Sequence, residues 1–149
     1  MVRVARIPDA RAIHQLLLKY AQQGQMLSCS LAEIYESIRD FYVAEEEAEI
    51  LGTVRLHVCW EDLAEIRSLA VDETRFGRGI GRQLVETCLE EARELGLKRV
   101  FALTYKPGFF GRLGFAEIDK SELPHKIWRD CIKCVKFPEC DEIAVSINL

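Results

Sequence analysis

The sequence predicts a mixed α/β domain, and three observations predict it. Two long segments carry helical periodicity, several short runs alternate like strands, and a glycine- and arginine-rich turn joins a strand to a helix. In chain order, residues 2–7 read as a first strand ended by Pro8-Asp9. Pro8 suits a first helical turn, and Ala12, Ile13, Leu16, Leu17 and Tyr20 then recur at helical spacing until Gly24. Ser30 and Glu33 predict a capping box for a second helix with Leu31, Ile34 and Ile38 on its apolar side. Residues 41–45 and 49–58 predict a hairpin across the acidic turn Glu45-Glu46-Glu47. Residues 64–71 are a further strand. From Ile80, the positions Leu84, Val85, Cys88, Leu89, Ala92 and Leu95 form a helical stripe stopped by Gly96. Residues 99–105 read as a strand, 107–113 as a short helix or turn, and 114–118 as a short strand. Ile143, Val145, Ile147 and Leu149 alternate with Ala144, Ser146 and Asn148, which is strand periodicity. The predicted order is therefore β-α-α-β-β-β-α-β-α-β-β.

Length and composition bound the function. At 149 residues the chain is read as one domain, 1–149, large enough to bury a core without staples. An apolar fraction of 49% and a charged fraction of 30% are ordinary for a soluble domain. Twenty basic against twenty-four acidic side chains give net −4, so no global field favours nucleic acid or anionic lipid. No apolar run reaches the roughly 20 residues of a membrane span, and the N-terminus lacks a signal peptide's apolar stretch. Six cysteines without an export signal read as reduced thiols, so the expected location is cytoplasmic.

Residues 75–82, R-F-G-R-G-I-G-R, place three glycines and three arginines in eight positions. Glycines let backbone N–H groups approach an anion closely, and the following helix adds the positive end of its dipole. The pattern predicts a pyrophosphate cradle; a tight turn without a ligand is the alternative. The spacing G-x-G-x-G is not the G-x-G-x-x-G of dinucleotide folds, the next strand carries no ribose-binding acid, and G-K-[ST] is absent.

At these residues the chain resembles the GNAT family of acetyl-CoA-dependent N-acetyltransferases. Its [QR]-x-x-G-x-[GA] signature falls on Phe76-Gly77-Arg78-Gly79-Ile80-Gly81, with Phe76 where Gln or Arg is usual. F-F-G-R-L-G-F at 109–115 is similar to the family's F-Y-x-x-x-G-F, and the resemblance covers roughly residues 1–119. It implies a mixed sheet, central, twisted and mostly antiparallel, flanked by helices, with acetyl-CoA as donor. By the same resemblance Leu69, Ala70 and Val71 pair with the pantetheine arm. Arg75, Phe76, Gly77, Arg78, Gly79, Ile80, Gly81 and Arg82 hold the phosphates, and Phe110 stands where the family's tyrosine meets the coenzyme.

Acyl transfer from a thioester to an amine needs a neutral amine, a donor to the developing oxyanion and help for the leaving thiolate. Glu65 lies where many family members drain the amine's proton; an exposed strand-edge carboxylate is the other reading. The Val71 N–H is the matched donor for the thioester carbonyl. Phe110 cannot donate a proton, which leaves Tyr105 as the nearest candidate acid in sequence, or an unassisted thiolate with a pKa of about 8.5 by analogy with cysteine. A packed strand tyrosine is the plainer account of Tyr105.

The segment 123–142, with L-P-x-K-I-W-x-D-C-x-x-C and F-P-x-C-D-E, resembles the short stand-alone N-acetylglutamate synthases, which acetylate L-glutamate at the start of arginine biosynthesis. That resemblance implies L-glutamate as acceptor. A dicarboxylate calls for cations, and Arg67, Lys106, Arg112, Lys126 and Arg129 are candidates, with Arg67, Lys106 and Lys126 retained as substrate-binding. Cys131, Cys134 and Cys140 with His125 have partial zinc spacing, but the reading preferred is a packed thiol cluster without metal. Partners expected are small molecules only, with no nucleic acid and no membrane, and homodimers are common for this fold. Two alternatives stay open: the same chemistry on another small amine or a protein N-terminus, and a catalytically weak acyl-CoA sensor, which Phe110 would suit.

Overall fold

Apolar alternation brings β1 (Val2–Val4) antiparallel to β2 (Phe41–Glu46), and β2 antiparallel to β3 (Glu49–Trp60). A computed structural model describes residues 1–24, 29–123 and 142–149 of the chain. Contacts divide it into two units, Met1–His57 with Ile66–Glu91 and Val58–Glu65 with Ala92–Leu149, which β4 (Leu63–Val71) and α3 (Ile80–Glu94) both traverse.

In the first unit, α1 (Ala10–Gln22) buries Ile13, Leu17 and Tyr20 at i, i+4 and i+7, the stripe that its sequence spacing predicts. These side chains pack with Ile34 of α2 (Leu31–Glu36), with Phe41 and Val43 of β2, and with Ala70 of β4. The Ser30 side chain accepts from the Glu33 N–H at 3.1 Å, the predicted cap, and its hydroxyl donates to the Glu33 carboxylate at 3.2 Å. Several boundaries differ from the sequence reading, three of them at turns in this unit. The first strand ends at Val4, and Ile7–Asp9 form a 3-10 turn because Pro8 fixes a turn conformation. Ile38 lies beyond α2 in a second 3-10 turn, Ile38–Asp40. The hairpin turn sits at Glu47 and Ala48, with φ of 51° and 64°, while Glu45 and Glu46 remain in β2. Two left-handed residues match the twist of a tight hairpin, even without Gly or Asn there.

The second unit centres on β5 (Arg99–Thr104) and β7 (Ile143–Asn148), paired antiparallel with Arg99 opposite Asn148 and Thr104 opposite Ile143. β6 (Ala116–Ile118) pairs antiparallel with the other edge of β7, and Leu63–Glu65 of β4 run parallel to Arg99–Phe101. Leu63, Phe101, Leu123 and Ala144 form one buried cluster in it. Gly96, at φ 84°, ends α3: its N–H bonds the Arg93 carbonyl and the Leu97 N–H bonds the Ala92 carbonyl, a Schellman closure. The short helix α4 (Pro107–Gly111) follows β5. Strand order is β1-β2-β3-β4-β5-β7-β6, a mixed seven-stranded sheet in which β4–β5 is parallel and the pairings of β1–β2, β2–β3, β5–β7 and β6–β7 are antiparallel. The fold class expected from the sequence is the one observed.

Candidate active site

The glycine-rich turn is built by its flanks. Asp72, just after β4, accepts from the Thr74 N–H at 3.0 Å and the Thr74 hydroxyl at 2.8 Å, which shapes the 3-10 turn Glu73–Arg75. The Thr74 N–H also holds the Asp72 carboxyl below the usual carboxylate range. Gly77 and Gly79 follow at φ 85° and 77°, the left-handed region where other residues are strained. A side chain at either would meet nothing within 4 Å, so the space above the turn is open to a ligand. The first bond inside α3 runs from the Gln83 N–H to the Gly79 carbonyl, so Ile80, Gly81 and Arg82 keep their N–H groups outside the helix's own ladder. That is a donor set suited to a pyrophosphate.

Close packing seats α3 behind the turn. Gly52 of β3 is buried, and a Cβ there would stand 3.0 Å from Leu84 Cδ1, 3.2 Å from Ile80 Cγ2 and 3.2 Å from the Ala70 carbonyl. A larger residue there would have to push these neighbours back by a few tenths of an ångström.

The cradle's arginines are not bare cations. Arg75 lies 3.4 Å from Glu49, Arg78 3.5 Å from Glu46, and Arg82 2.5 Å from Glu86. Such exposed pairs contribute about 0–1 kcal/mol each, so an incoming phosphate can displace the carboxylates. Phe76, in the position of the family's Gln or Arg, is half exposed.

On β4, Leu69 and Val71 are half-buried and Ala70 is buried. The Val71 carbonyl accepts a 2.6 Å hydrogen bond from the buried Tyr20 hydroxyl. Burial pushes the Tyr20 phenol above its ordinary value, so it stays a donor. Ser68 has φ 55°, an irregularity inside the strand, between the half-buried Arg67 and Leu69. Neither Tyr20's bond nor the Ser68 backbone was visible in the sequence; Tyr20 reads there only as part of an apolar stripe.

In the second unit, Glu65 is 6% exposed and lies opposite Phe101 of β5, so it is buried and not a solvated edge carboxylate. β5 ends at Thr104, which leaves Tyr105, half-buried, just past the strand. Lys106 is exposed, and its N–H bonds the Thr104 hydroxyl at 2.8 Å. Phe110 is buried, with Phe109 and Phe115 edge-on at 5.1 Å each. Lys126, Arg129, His125, Cys131, Cys134 and Cys140 lie outside the described residues. Among those described, no group of three or more His, Cys, Asp or Glu is placed to hold a metal ion, and no helix is long and apolar enough to cross a membrane.

Comparison with known proteins agrees with this geometry. The model of the acetyltransferase (GNAT) family matches residues 10–115. An uncharacterized N-acetyltransferase of Chlorobaculum tepidum is 47% identical over 99% of this chain and 96% of its own. The amino-acid acetyltransferase of Mycobacterium tuberculosis is 41% identical over 86% of this chain and 75% of its own. The Neisseria meningitidis amino-acid acetyltransferase is 30% identical, and there the match spans only 30% of that longer protein. Among solved structures, a Mycobacterium tuberculosis protein in complex with CoA and a second ligand superposes with a TM-score of 0.88 at 33% identity, covering 100% of this chain and 99% of that one. N-acetylglutamate synthase from Neisseria gonorrhoeae, complexed with coenzyme A and N-acetyl-glutamate, gives 0.92 at 25% identity over 100% of this chain and 35% of that one. A strand, a left-handed glycine turn and an open helix start in this order, under a family model spanning residues 10–115, make the chain a member of the GNAT family of acetyl-CoA-dependent N-acetyltransferases.

Proposed function

We propose that residues 1–149 act as a single catalytic domain that moves the acetyl group of acetyl-CoA to the α-amine of L-glutamate. The observation that carries the reading is the buried carboxylate of Glu65, six residues before Val71 on the strand that enters the cradle. Glutamate is almost never fully buried unless it is paired, so its carboxylate is held in place on this strand. The relatives named amino-acid acetyltransferase support an amino-acid acceptor, and the gonococcal structure supports glutamate.

In this reading the turn 77–82 binds the pyrophosphate through its N–H groups, and Leu69–Val71 align the thioester. Glu65 takes the proton of the ammonium group through water. The amine nitrogen then attacks the thioester carbon while the Val71 N–H donates to the developing oxyanion. The C–S bond breaks as the carbonyl re-forms, and the second proton shed by the new amide nitrogen passes by way of Tyr105 or water to the leaving thiolate. Arg67 and Lys106 supply charge toward the acceptor's carboxylates. A role in arginine biosynthesis and a cytoplasmic location follow from the same reading.

Purified protein incubated with acetyl-CoA and a panel of amino acids, polyamines and peptides tests it, with CoA release and acetylated product followed by chromatography. L-glutamate should give the highest kcat/KM. Turnover confined to another amine would overturn the acceptor assignment, and tight acetyl-CoA binding with no turnover on any amine would favour a sensor.

A further inference from the structure

We propose that Arg55 of β3 binds a carboxylate of the amino-acid acceptor. The inference rests on the reading of the chain as an amino-acid acetyltransferase and adds a residue that the sequence motifs do not mark.

A guanidinium carries five donors, no acceptor and a permanent charge. The Arg55 side chain is only 18% exposed, and its Nε is buried with no hydrogen-bond partner. Its Nη2 stands 3.4 Å from Asp40 Oδ2, on a side chain that is itself 41% exposed. The same nitrogen is 3.2 Å from His57 Nδ1, which accepts only while unprotonated. The guanidinium carbon sits 6.0 Å from the centre of the Phe41 ring, at the outer limit of a useful cation–π contact. A cation withdrawn from water needs close, well-aligned partners, and the one carboxylate it meets among the described residues stands at 3.4 Å. A carboxylate is the ligand that completes the set, taken at the Nη groups of the fork, since the side chain keeps 18% exposure while its Nε is covered.

Position ties this cation to the reacting strand. The Asp72 N–H bonds the Leu51 carbonyl at 2.8 Å. Arg55 lies four residues after Leu51 on β3, and Ser68 four before Asp72 on the neighbouring strand β4. Ser68 is the left-handed residue of β4, next to Arg67. The Cys29 thiol, pushed up by burial and by the Glu33 charge, also feels the Arg55 charge. Arg99 also has a buried Nε without a partner, but its Nη2 reaches the Ser146 hydroxyl at 3.2 Å, and it opens β5 at the end remote from Tyr105.

The test uses the intact protein. The Arg55 Nε–H resonance, identified by its loss in Arg55→Lys, is followed while L-glutamate is added to the wild type with CoA present. A saturable shift is expected. In steady state, Arg55→Gln should raise KM for L-glutamate about 10- to 100-fold, the range for one lost charge-assisted pair, and leave KM for acetyl-CoA within twofold. Arg55→Lys should fall between. Glutamine and isoglutamine, each with one carboxylate amidated, identify which carboxylate is bound: the penalty for that amide should vanish in Arg55→Gln. An unshifted Nε–H together with an unchanged KM for glutamate in a folded variant overturns the proposal while leaving the acetyltransferase reading intact. A shift with glutamate but no acetylation of it would keep the carboxylate site and overturn the acceptor reading. If Arg55→Gln does not fold, the wild-type titration and Arg55→Lys decide.

Discussion

The Tyr20 hydroxyl, buried on α1, donates a 2.6 Å hydrogen bond to the Val71 carbonyl at the end of β4. The same peptide strand offers the Val71 N–H to the thioester in the proposed mechanism, so Tyr20 fixes the orientation of the reactive backbone from behind. Removing the hydroxyl leaves a carbonyl without its partner and lets the strand end rotate. Tyr20→Phe is expected to lose about 1–3 kcal/mol of stability, the range for an unsatisfied buried group. A positioning role further requires kcat to fall while KM for the acceptor stays near its wild-type value. Thermal melts with steady-state kinetics separate the two effects.

Gly79 and Gly96 form an internal control for the cradle. Both are left-handed, at φ 77° and 84°, and a Cβ at either meets nothing within 4 Å. Alanine at each carries a similar backbone penalty, about 1–2 kcal/mol. Only Gly79 belongs to the proposed phosphate site. Gly79→Ala should weaken CoA binding at least about tenfold, the equivalent of 1.4 kcal/mol or more. Gly96→Ala should leave it unchanged at comparable loss of stability. Calorimetric titration of CoA into both variants checks this, and equal losses would remove the cradle assignment.

The order of elements was legible because each rests on local periodicity: α1 and α3 bury most of their predicted stripes, although Ala12 and Leu95 are exposed, and residues 143–148 form β7 although Ala144, Val145 and Ser146 are buried in a row. The cradle was legible for a related reason, since G-x-G-x-G encodes its own backbone. What escaped the sequence is non-local. Arg75 and Arg78 look like free cations until the β2–β3 hairpin brings Glu49 and Glu46 to them. The hairpin turn moved to Glu47-Ala48 because twist chose the conformation and composition did not. Ser68 has no local signal for a positive φ, as serine adopts it only when the surrounding strand imposes it. Tyr20 and Arg55 are ordinary residues of an amphipathic pattern until a distant partner, or its absence, sets them apart.

Arg3, Asp9 and Glu45 tie the first strand to the start of α1 and to β2. Asp9 accepts from two Arg3 nitrogens at 2.8 and 3.0 Å and from the Arg6 N–H at 2.7 Å. The Arg3 pairing above all holds the Asp9 carboxyl below its usual range. A carboxyl depressed in the folded state stabilises fully above its unfolded value of about 3.9, and that contribution disappears as pH falls through the folded value. Asp9→Asn is therefore expected to melt below the wild type at pH 7. The gap should close as the pH is lowered below about 3.9. Melting temperatures of both proteins across that range provide the measurement, and a gap independent of pH would assign Asp9's effect to packing alone.

Glu65→Gln examines the proton transfer itself. A general base contributes about 10²–10⁴ in rate, and glutamine keeps the shape of the side chain while losing the ability to take a proton. Without the base, only acceptor molecules already carrying a neutral amine can react. Their fraction rises tenfold per pH unit below the amine's own pKa. The variant's kcat/KM should consequently climb with unit slope over that whole range and recover part of the lost activity at high pH, whereas the wild type should level off once Glu65 is ionised. A simple loss of structure would lower both profiles in parallel, and melting curves of the variant give an independent check on folding. Equal pH profiles for the two proteins would remove Glu65 from the chemistry and leave its carboxylate, 6% exposed opposite Phe101, as a structural group.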